Sequence, residues 1–458
     1  MTSSRPVAAP LYWSSRFAFY VGAAGAAVGL GSIWRFPYLA GTSGGSAFIL
    51  VFVVACLLIA TPLLAAEFAL GRRSGRSPPE AAGEIASSHG LSRRWNVIGL
   101  LGALAAFLIF SYYTVIAGWV LAYAWKSASG ALANAGSTGV AAQWQQFLSQ
   151  PLQVGAWHAA FVVLAAAISA RGLDRGIETV NKFRGPALLV LLCILAVYSL
   201  ATGNVRRGLS FAFTPDFAAI DSSVMLAAIG QAFYATGVGQ AMMIAYGAYA
   251  RPGTSLVRSS LAVTGSILLV SLLATVIVFP LVFGYGMNPA QGSQLVFEVL
   301  PRAFVEMPGG RAIGTLFFIL LVLAALMPSI ASIEPAAAWL VQRGGMRRST
   351  AVWATTFSAW LLGLGSVLSF NLASQWRPLG FIPALAAHTF FDVMNYVTSD
   401  ILLPVGALLT SVFMGWRLRE VFADELREST SFARRCCVWL LRYVCPLAIL
   451  LVFAATLI

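Results

Sequence analysis

A glycine-rich interruption inside an apolar segment constrains the fold of this chain more than any other feature. Residues 22–37 read GAAGAAVGLGSIWRFP, so glycines are dense and an arginine and a proline follow them. Each glycine costs a helix interior about 1 kcal/mol relative to alanine, so this density favours unwound backbone. In a bilayer, unwound backbone is tolerated only where protein buries it or it lines a cavity, and it then offers binding groups for ions. The alternative interpretation is close helix packing through small residues.

The composition shows why the surrounding segment must cross a membrane. The 458 residues are 59% hydrophobic and only 10% charged, with a mean hydropathy of +0.82. We therefore expect an all-α polytopic membrane protein. The five cysteines have no metal-ligand spacing and the three histidines are scattered, so the sequence does not indicate an enzyme or a bound cofactor.

Hydropathy predicts eleven spans in one transmembrane domain, 1–458, with a short cytoplasmic tail, 1–14. With the N-terminus inside and the C-terminus outside, most of the 29 lysines and arginines lie on the cytoplasmic side. The net charge of +13 therefore sets the orientation and contacts anionic lipid, and it does not indicate nucleic-acid binding. Long external loops are predicted at 127–152 and 285–310. The predicted spans are 15–39, 46–70, 96–125, 153–170, 183–202, 221–249, 256–284, 311–341, 350–370, 388–416 and 437–458.

A second interruption lies in the sixth predicted span, where residues 230–240 read GQAFYATGVGQ. The two broken spans are five spans apart, and an odd number of spans per half gives the halves opposite orientations. Paired broken helices at corresponding positions indicate a transporter built from an inverted repeat, with its binding site near the middle of the membrane.

These motifs resemble the neurotransmitter:sodium symporter family in its bacterial eleven-span form. The resemblance extends over nearly the whole chain and implies a leucine-transporter-like fold of five plus five inverted helices, with helices 1 and 6 discontinuous. It also implies a bacterial inner-membrane location. The matching segments are 24–38 (AGAAVGLGSIWRFPY), 43–45, Pro62 with Glu67, 71–72, 112–113, 171–178, 214–217, 230–231, 391–392 and 403–404.

The resemblance implies where an amino-acid substrate binds. Its carboxylate would meet the backbone around Leu30 and Gly31 and the hydroxyl of Tyr113, because the positive end of a half-helix favours an anion. The alternative role for Tyr113 is an amphipathic side chain at a helix contact. Gly29 suits a zwitterion, because monoamine carriers of the family have an aspartate there. The other expected pocket residues are Ile109, Tyr234, Gly237, Gln240 and Ser332.

Two departures from the family pattern bear on the substrate and the outer gate. Gln240 and Ser332 stand where large apolar residues are usual, which favours a substrate with a polar or small side chain. Arg35 would form the gate, but Asn395 replaces its usual aspartate partner, and Asp392 and Asp400 match that position only out of register.

The sodium positions that the resemblance implies are incomplete. One would take the carbonyls of Gly25, Val28 and Ala324, but Met327 and Pro328 replace its two hydroxyl ligands, and a thioether is a poor ligand for a hard cation. Ser329 would serve only after a register shift. At the other sodium position, Ser32 replaces the family's asparagine, Ala235 replaces its threonine, and Ser266 aligns with its amide. The carbonyls of Ala27 and Ala235 and the Ser32 hydroxyl could still hold an ion weakly there.

We therefore expect weak or absent sodium dependence, with exchange, facilitated uptake or proton coupling as the alternatives. Arg184 or Lys182 could supply a fixed cation at the incomplete site, although basic residues at a cytoplasmic boundary commonly set topology alone. A sensor that binds an amino acid without transporting it is the alternative from another class. The substrate, the coupling ion and the oligomeric state stay open at this point.

Overall fold

The computed structural model describes residues 12–290 and 295–456, and all regular secondary structure within these ranges is helical. Most of the predicted tail therefore lies outside the described residues. The helices are α1 (Arg16–Ala27), α2 (Gly31–Thr42), α3 (Ser46–Ser74), α4 (Pro78–Ser88), α5 (Arg93–Ala128), α6 (Ala131–Leu148), α7 (Pro151–Ala170), α8 (Gly176–Thr202), α9 (Val205–Phe213), α10 (Ser222–Thr236), α11 (Met242–Ala248), α12 (Leu256–Gly284), α13 (295–306), α14 (Gly310–Gly344), α15 (Arg348–Leu368), α16 (Phe390–Arg417), α17 (Arg419–Glu425) and α18 (Ser431–Ala454).

Nine of the described helices are long and apolar enough to cross a membrane: α3, α5, α7, α8, α12, α14, α15, α16 and α18. The pair α1 and α2, bent by 53° at a short break, would make a tenth span. The predicted sixth span, 221–249, consists of α10 and α11, each too short to cross alone. The count of eleven and the inverted repeat therefore stay predictions.

Both segments predicted to be external loops contain helices. The polar stretch 127–152 includes α6, which is interrupted by Gly136 in a non-helical conformation. The segment 285–310 includes α13. Polarity without charge does not prevent helix formation when a few apolar side chains can pack inward, and Trp144 and Phe147 are buried in this way.

The interior of the bundle is built on close contact between long helices. Helices α5 and α14 contact each other more extensively than any other pair. Helix α11 packs backbone against backbone on α3, where Gly71 faces the carbonyl of Ile244 and Gly247 faces the backbone of Phe68. Glycine permits this approach, since any side chain would meet main-chain atoms.

The outer surface of the bundle is rich in exposed apolar side chains. Phe183 is 75% exposed, Val197 68% and Leu447 60%. A soluble monomer rarely exposes such contiguous apolar surface, whereas a membrane surrounds it with lipid hydrocarbon chains. The chain is a multi-pass membrane protein.

Candidate functional site

The two helix breaks lie opposite each other and line a narrow cavity of about 30 Å³. The walls therefore stand close together. The cavity is lined by Ala26, Ala27, Gly29, Gly31, Ile109, Tyr113, Tyr234, Ala235, Gly237, Gln240, Met242, Pro328 and Ser332.

The structure thus brings together all the predicted substrate-binding residues except Leu30. Leu30 is connected to the cavity through its backbone, because its amide donates a hydrogen bond of 3.2 Å to the hydroxyl oxygen of Tyr113. Sequence reasoning missed Ala26, Met242 and Pro328 as lining residues. Met242 follows the second break directly and Pro328 lies one helical turn before Ser332, so the sequence positions of both residues could have predicted that they line the cavity.

The first break places helix ends at the cavity. Helix α1 ends at Ala27, Val28 has extended backbone angles (φ −74°, ψ 104°), and the next helix begins at Gly31. The amide groups at the start of α2 carry the positive end of the α2 dipole, whereas the carbonyls at the end of α1 carry the negative end of the α1 dipole. The break can therefore bind an anion on one side and a cation on the other.

Gly29 has a packing reason to be glycine that the sequence did not reveal. A β-carbon there would lie 2.7 Å from Cγ of Pro328 and 3.1 Å from the Tyr113 hydroxyl oxygen. The proline that replaces an expected hydroxyl ligand therefore occupies the space that a side chain at position 29 would need. The preference for a zwitterion inferred from Gly29 stays a prediction.

We expect Gly29→Ala to weaken amino-acid binding by about 5–150-fold, because overpacking displaces Tyr113 or Pro328 at a cost of about 1–3 kcal/mol. The measurement is ligand-induced thermal stabilisation of the purified protein. Gly265→Ala is the matched control, since a β-carbon there meets no atom within 4 Å. Equal binding by Gly29→Ala and the wild type would contradict the steric account.

The second break is held in an unusual backbone conformation. Gly237, Gly239 and Ala241 all have positive φ, and Ala241 is the one non-glycine residue of the described chain that does. The amide of Gly239 donates a 2.7 Å hydrogen bond to Oε1 of the buried Glu67. This carboxylate bridges α3 to the break and satisfies a donor that an intact helix would have satisfied itself.

At one end of the cavity, Arg35 covers it without an ion pair. Its guanidinium carbon lies 4.2 Å from the centre of the Tyr234 ring, and no described carboxylate oxygen lies within 4 Å of its nitrogens. Asn395 instead accepts a hydrogen bond from Ser399, and Asp392 caps helix α16 through Thr389. The pairing of Arg35 with Asn395 stays a prediction, and the observed contact is a cation–π interaction.

At the opposite end, the segment before α1 is docked across the bundle. Trp13 is fully buried, its indole donates to the carbonyl of Tyr246, and its own carbonyl accepts from Arg251. Beside it, Arg348 forms a two-point ion pair with Glu334, with distances of 2.9 and 2.8 Å. The cavity is therefore closed on both sides.

One predicted sodium position holds a side chain. The guanidinium of Arg184 lies among the carbonyls of Gly25, Val28 and Ala324, whereas Lys182 is exposed. Met327 is buried at a predicted hydroxyl position and Pro328 packs on Gly29. The residues present do not fit a sodium ion at this position.

The other predicted sodium position retains little of its ligand set. Ala27 and Ala235 line the cavity, and the buried Ser32 hydroxyl has no hydrogen-bond partner among the described residues. Ser266 is half-buried and donates to the carbonyl of Ala262 in its own helix, and no described contact joins it to Ser32. The Ser266 hydroxyl is therefore used within α12 itself.

A family model described as the sodium:neurotransmitter symporter family matches residues 11–146 and 143–458. The chain belongs to this family. An uncharacterised sodium-dependent transporter of Bacillus subtilis, YhdH, is 34% identical over 97% of both chains. A sodium-dependent transporter of Haemophilus influenzae is 30% identical over 97% of this chain and 98% of its own.

The fold of this symporter family member is also similar to that of a solved structure. The crystal structure of MhsT in complex with L-phenylalanine matches with a TM-score of 0.90 and 35% identity, covering 97% of this chain and 99% of that chain. The family resemblance and the all-α membrane fold predicted from the sequence are confirmed. The relatives are transporters and not enzymes, which agrees with the sequence-based expectation.

Proposed function

We propose that this chain is a secondary transporter that moves an amino acid or a similar zwitterion across the bacterial inner membrane by alternating access. The observation that carries the proposal is the closed cavity between the two breaks, lined by Gly29, Gly31 and Tyr113 on one side and by Gly237 and Gln240 on the other. Closure by Arg35 outside and Trp13 inside supports an occluded state between two access states.

The polar groups at the first break favour a carboxylate ligand. The Tyr113 hydroxyl accepts from the Leu30 amide and keeps its own proton for donation to an anion. The start of α2 adds its positive dipole end. MhsT binds L-phenylalanine, and a bovine relative 27% identical over 63% of this chain is a neutral amino acid transporter, which supports an amino acid here.

The rest of the cavity favours a small or polar side chain on the substrate. Gln240 and Ser332 are buried in its wall, and the space between the walls is narrow. A buried amide without a partner in the substrate loses hydrogen bonds that water would supply, so an apolar substrate is disfavoured. Family membership makes sodium the expected coupling ion.

The proposed orientation follows the basic residues. With the N-terminus in the cytoplasm, the Glu334–Arg348 pair lies on the cytoplasmic side and Arg35 on the outer side. The chain would then be one transporter domain whose C-terminus lies outside.

A thermal-shift panel tests the proposal. The purified protein is heated with each amino acid at a concentration well above the expected Kd, where binding stabilises the folded state by about 2.7 kcal/mol at 100 times Kd. Selective stabilisation by a small or polar amino acid is the expected result. The absence of stabilisation by any amino acid would overturn the proposal, and binding without flux in liposomes would favour a sensor instead.

We expect Gln240→Leu to shift the preference toward larger apolar amino acids by about 10–200-fold in relative Kd, because the buried amide no longer needs a polar partner. The same panel measures this change. Gln143→Leu is the control, since Gln143 lies on α6 outside the cavity. An unchanged order of preference would remove Gln240 from the substrate site.

A further inference from the structure

We infer that the Arg184 guanidinium is a built-in cation that takes the place of a sodium ion between the end of α1 and helix α14, so that substrate binding does not require sodium. This inference concerns the coupling of the transporter proposed above and rests on that function. An arginine side chain from α8 fills a position expected to hold an ion.

The guanidinium is satisfied almost entirely by backbone oxygens. Nε donates to the carbonyl of Leu323 at 2.6 Å, Nη2 donates to Val28 at 2.7 Å and to Ala324 at 3.5 Å, and Nη1 donates to Gly25 at 3.2 Å. Two of these carbonyls belong to the end of α1, where the break leaves acceptors free and the helix dipole is negative. A planar guanidinium with five donors satisfies such a cluster better than a single point charge does.

The surrounding residues fix Arg184 in this position. Asn181, one turn earlier on α8, accepts from Nη1 at 3.5 Å and donates to the carbonyl of Val21 at 3.0 Å. Gly25 leaves room for the Asn181 side chain, because a β-carbon at position 25 would collide with it. Arg184 is buried while Lys182 and Phe183 are exposed, so α8 turns this one basic residue inward.

Sodium and the guanidinium cannot share this position. Both would use the same carbonyl oxygens, and two cations held this close in a buried site repel each other strongly. The two positions expected to supply hydroxyl ligands are Met327 and Pro328, whose side chains offer a thioether and a hydrocarbon ring. This position therefore lacks both the space and the ligands for the ion.

A tethered cation has a consequence for energy coupling. It cannot leave with the substrate, so no ion gradient acts through it, and an arginine stays protonated throughout the physiological range, so it does not carry a proton either. A ligand shifts a two-state equilibrium only through its differential affinity for the two states. Through this position, no ion gradient can therefore drive accumulation of the substrate, which favours exchange or downhill uptake.

The test compares Arg184→Ala with Lys182→Ala, which removes the same charge from the same helix at an exposed position. Thermal unfolding is measured in sodium, potassium and N-methylglucamine buffers, each with and without guanidinium ion at roughly 10 mM, far below denaturing concentration. We expect the wild type and Lys182→Ala to unfold at one temperature in all three buffers. Arg184→Ala should unfold about 5 °C lower and recover with guanidinium, which can refill the position.

Several results would overturn the inference. Wild-type stability or amino-acid binding that requires sodium contradicts it, and so does an Arg184→Ala variant that matches the wild type and ignores guanidinium. If Arg184→Ala yields no folded protein, the buffer series on the wild type and on Arg184→Lys still decides, because a sodium requirement in either contradicts a built-in cation. If no amino acid binds in any buffer, the proposed function fails, while rescue of the substrate-free variant still tests Arg184.

Discussion

Removing the Tyr113 hydroxyl is expected to weaken amino-acid binding by about 10–150-fold. A hydrogen bond to a charged group contributes about 1.5–3 kcal/mol, and Tyr113→Phe would remove one from the substrate carboxylate. It would also leave the amide of Leu30, which now donates to Tyr113, without its acceptor. Kd from titrated thermal shifts or from radioligand binding measures the effect.

The neighbouring tyrosine provides the control for this variant. Tyr112 is equally buried, but its hydroxyl lies 3.1 Å from that of Thr398 and it does not line the cavity. We expect Tyr112→Phe to change Kd by no more than about twofold, because it removes no group that faces the substrate. Equal losses in the two variants would mean that Tyr113 acts through packing and not through its hydroxyl.

Breaking the inner ion pair is expected to open the cytoplasmic side. Glu334 is 1% exposed and is held by Arg348 and by the Tyr249 hydroxyl at 3.1 Å, so three segments meet at one carboxylate. Glu334→Gln leaves Arg348 without its counter-charge at a cost of about 3 kcal/mol, lower than for a fully buried pair because Arg348 is 28% exposed. If that cost falls mainly on the closed state, the inward-open population rises by about 100-fold.

The opening can be measured with a cysteine introduced at Ser332 in the cavity wall. A small thiol reagent should label Ser332→Cys faster in the Glu334→Gln variant than in a protein with wild-type Glu334. Labelling of the native cysteines is measured in a protein without Ser332→Cys and subtracted. Glu84→Gln is the control, because Glu84 forms only an exposed pair with Arg93 at 4.0 Å. Unchanged labelling in Glu334→Gln would show that this ion pair does not close the inner side.

Much of the fold could be predicted because its signals are local. Glycine density predicted both breaks, and hydropathy located most of the long spans to within a few residues, as with α12 at Leu256–Gly284. Helix α8 is an exception, since it begins at Gly176 and not at 183. Helix α18 begins earlier than predicted, since the polar first turns from Ser431 carry arginines that hydropathy penalises. Helix α6 was missed because uncharged polar residues give no periodic signal.

The candidate site was predictable in its residues but not in its contacts. Positions such as Gln240 and Ser332 follow from the family pattern, and the structure places both at the cavity. The role of Arg184 was ambiguous, because a basic residue near a span end has the same sequence signal whether it turns inward or outward. Only the rotation of α8 about its axis, which buries Arg184 and exposes Lys182, shows which basic residue turns inward. Likewise, no sequence pattern showed that Pro328 fills the space beside Gly29.

The most direct test of an amino-acid carrier with a built-in cation is exchange in proteoliposomes that contain no sodium on either side. The vesicles are loaded with the unlabelled amino acid that gives the largest thermal shift, and entry of the labelled form is followed. We expect the same rate of exchange with N-methylglucamine as with sodium, and no accumulation driven by a sodium gradient. Exchange that appears only when sodium is added, or sodium-driven accumulation, would contradict the account.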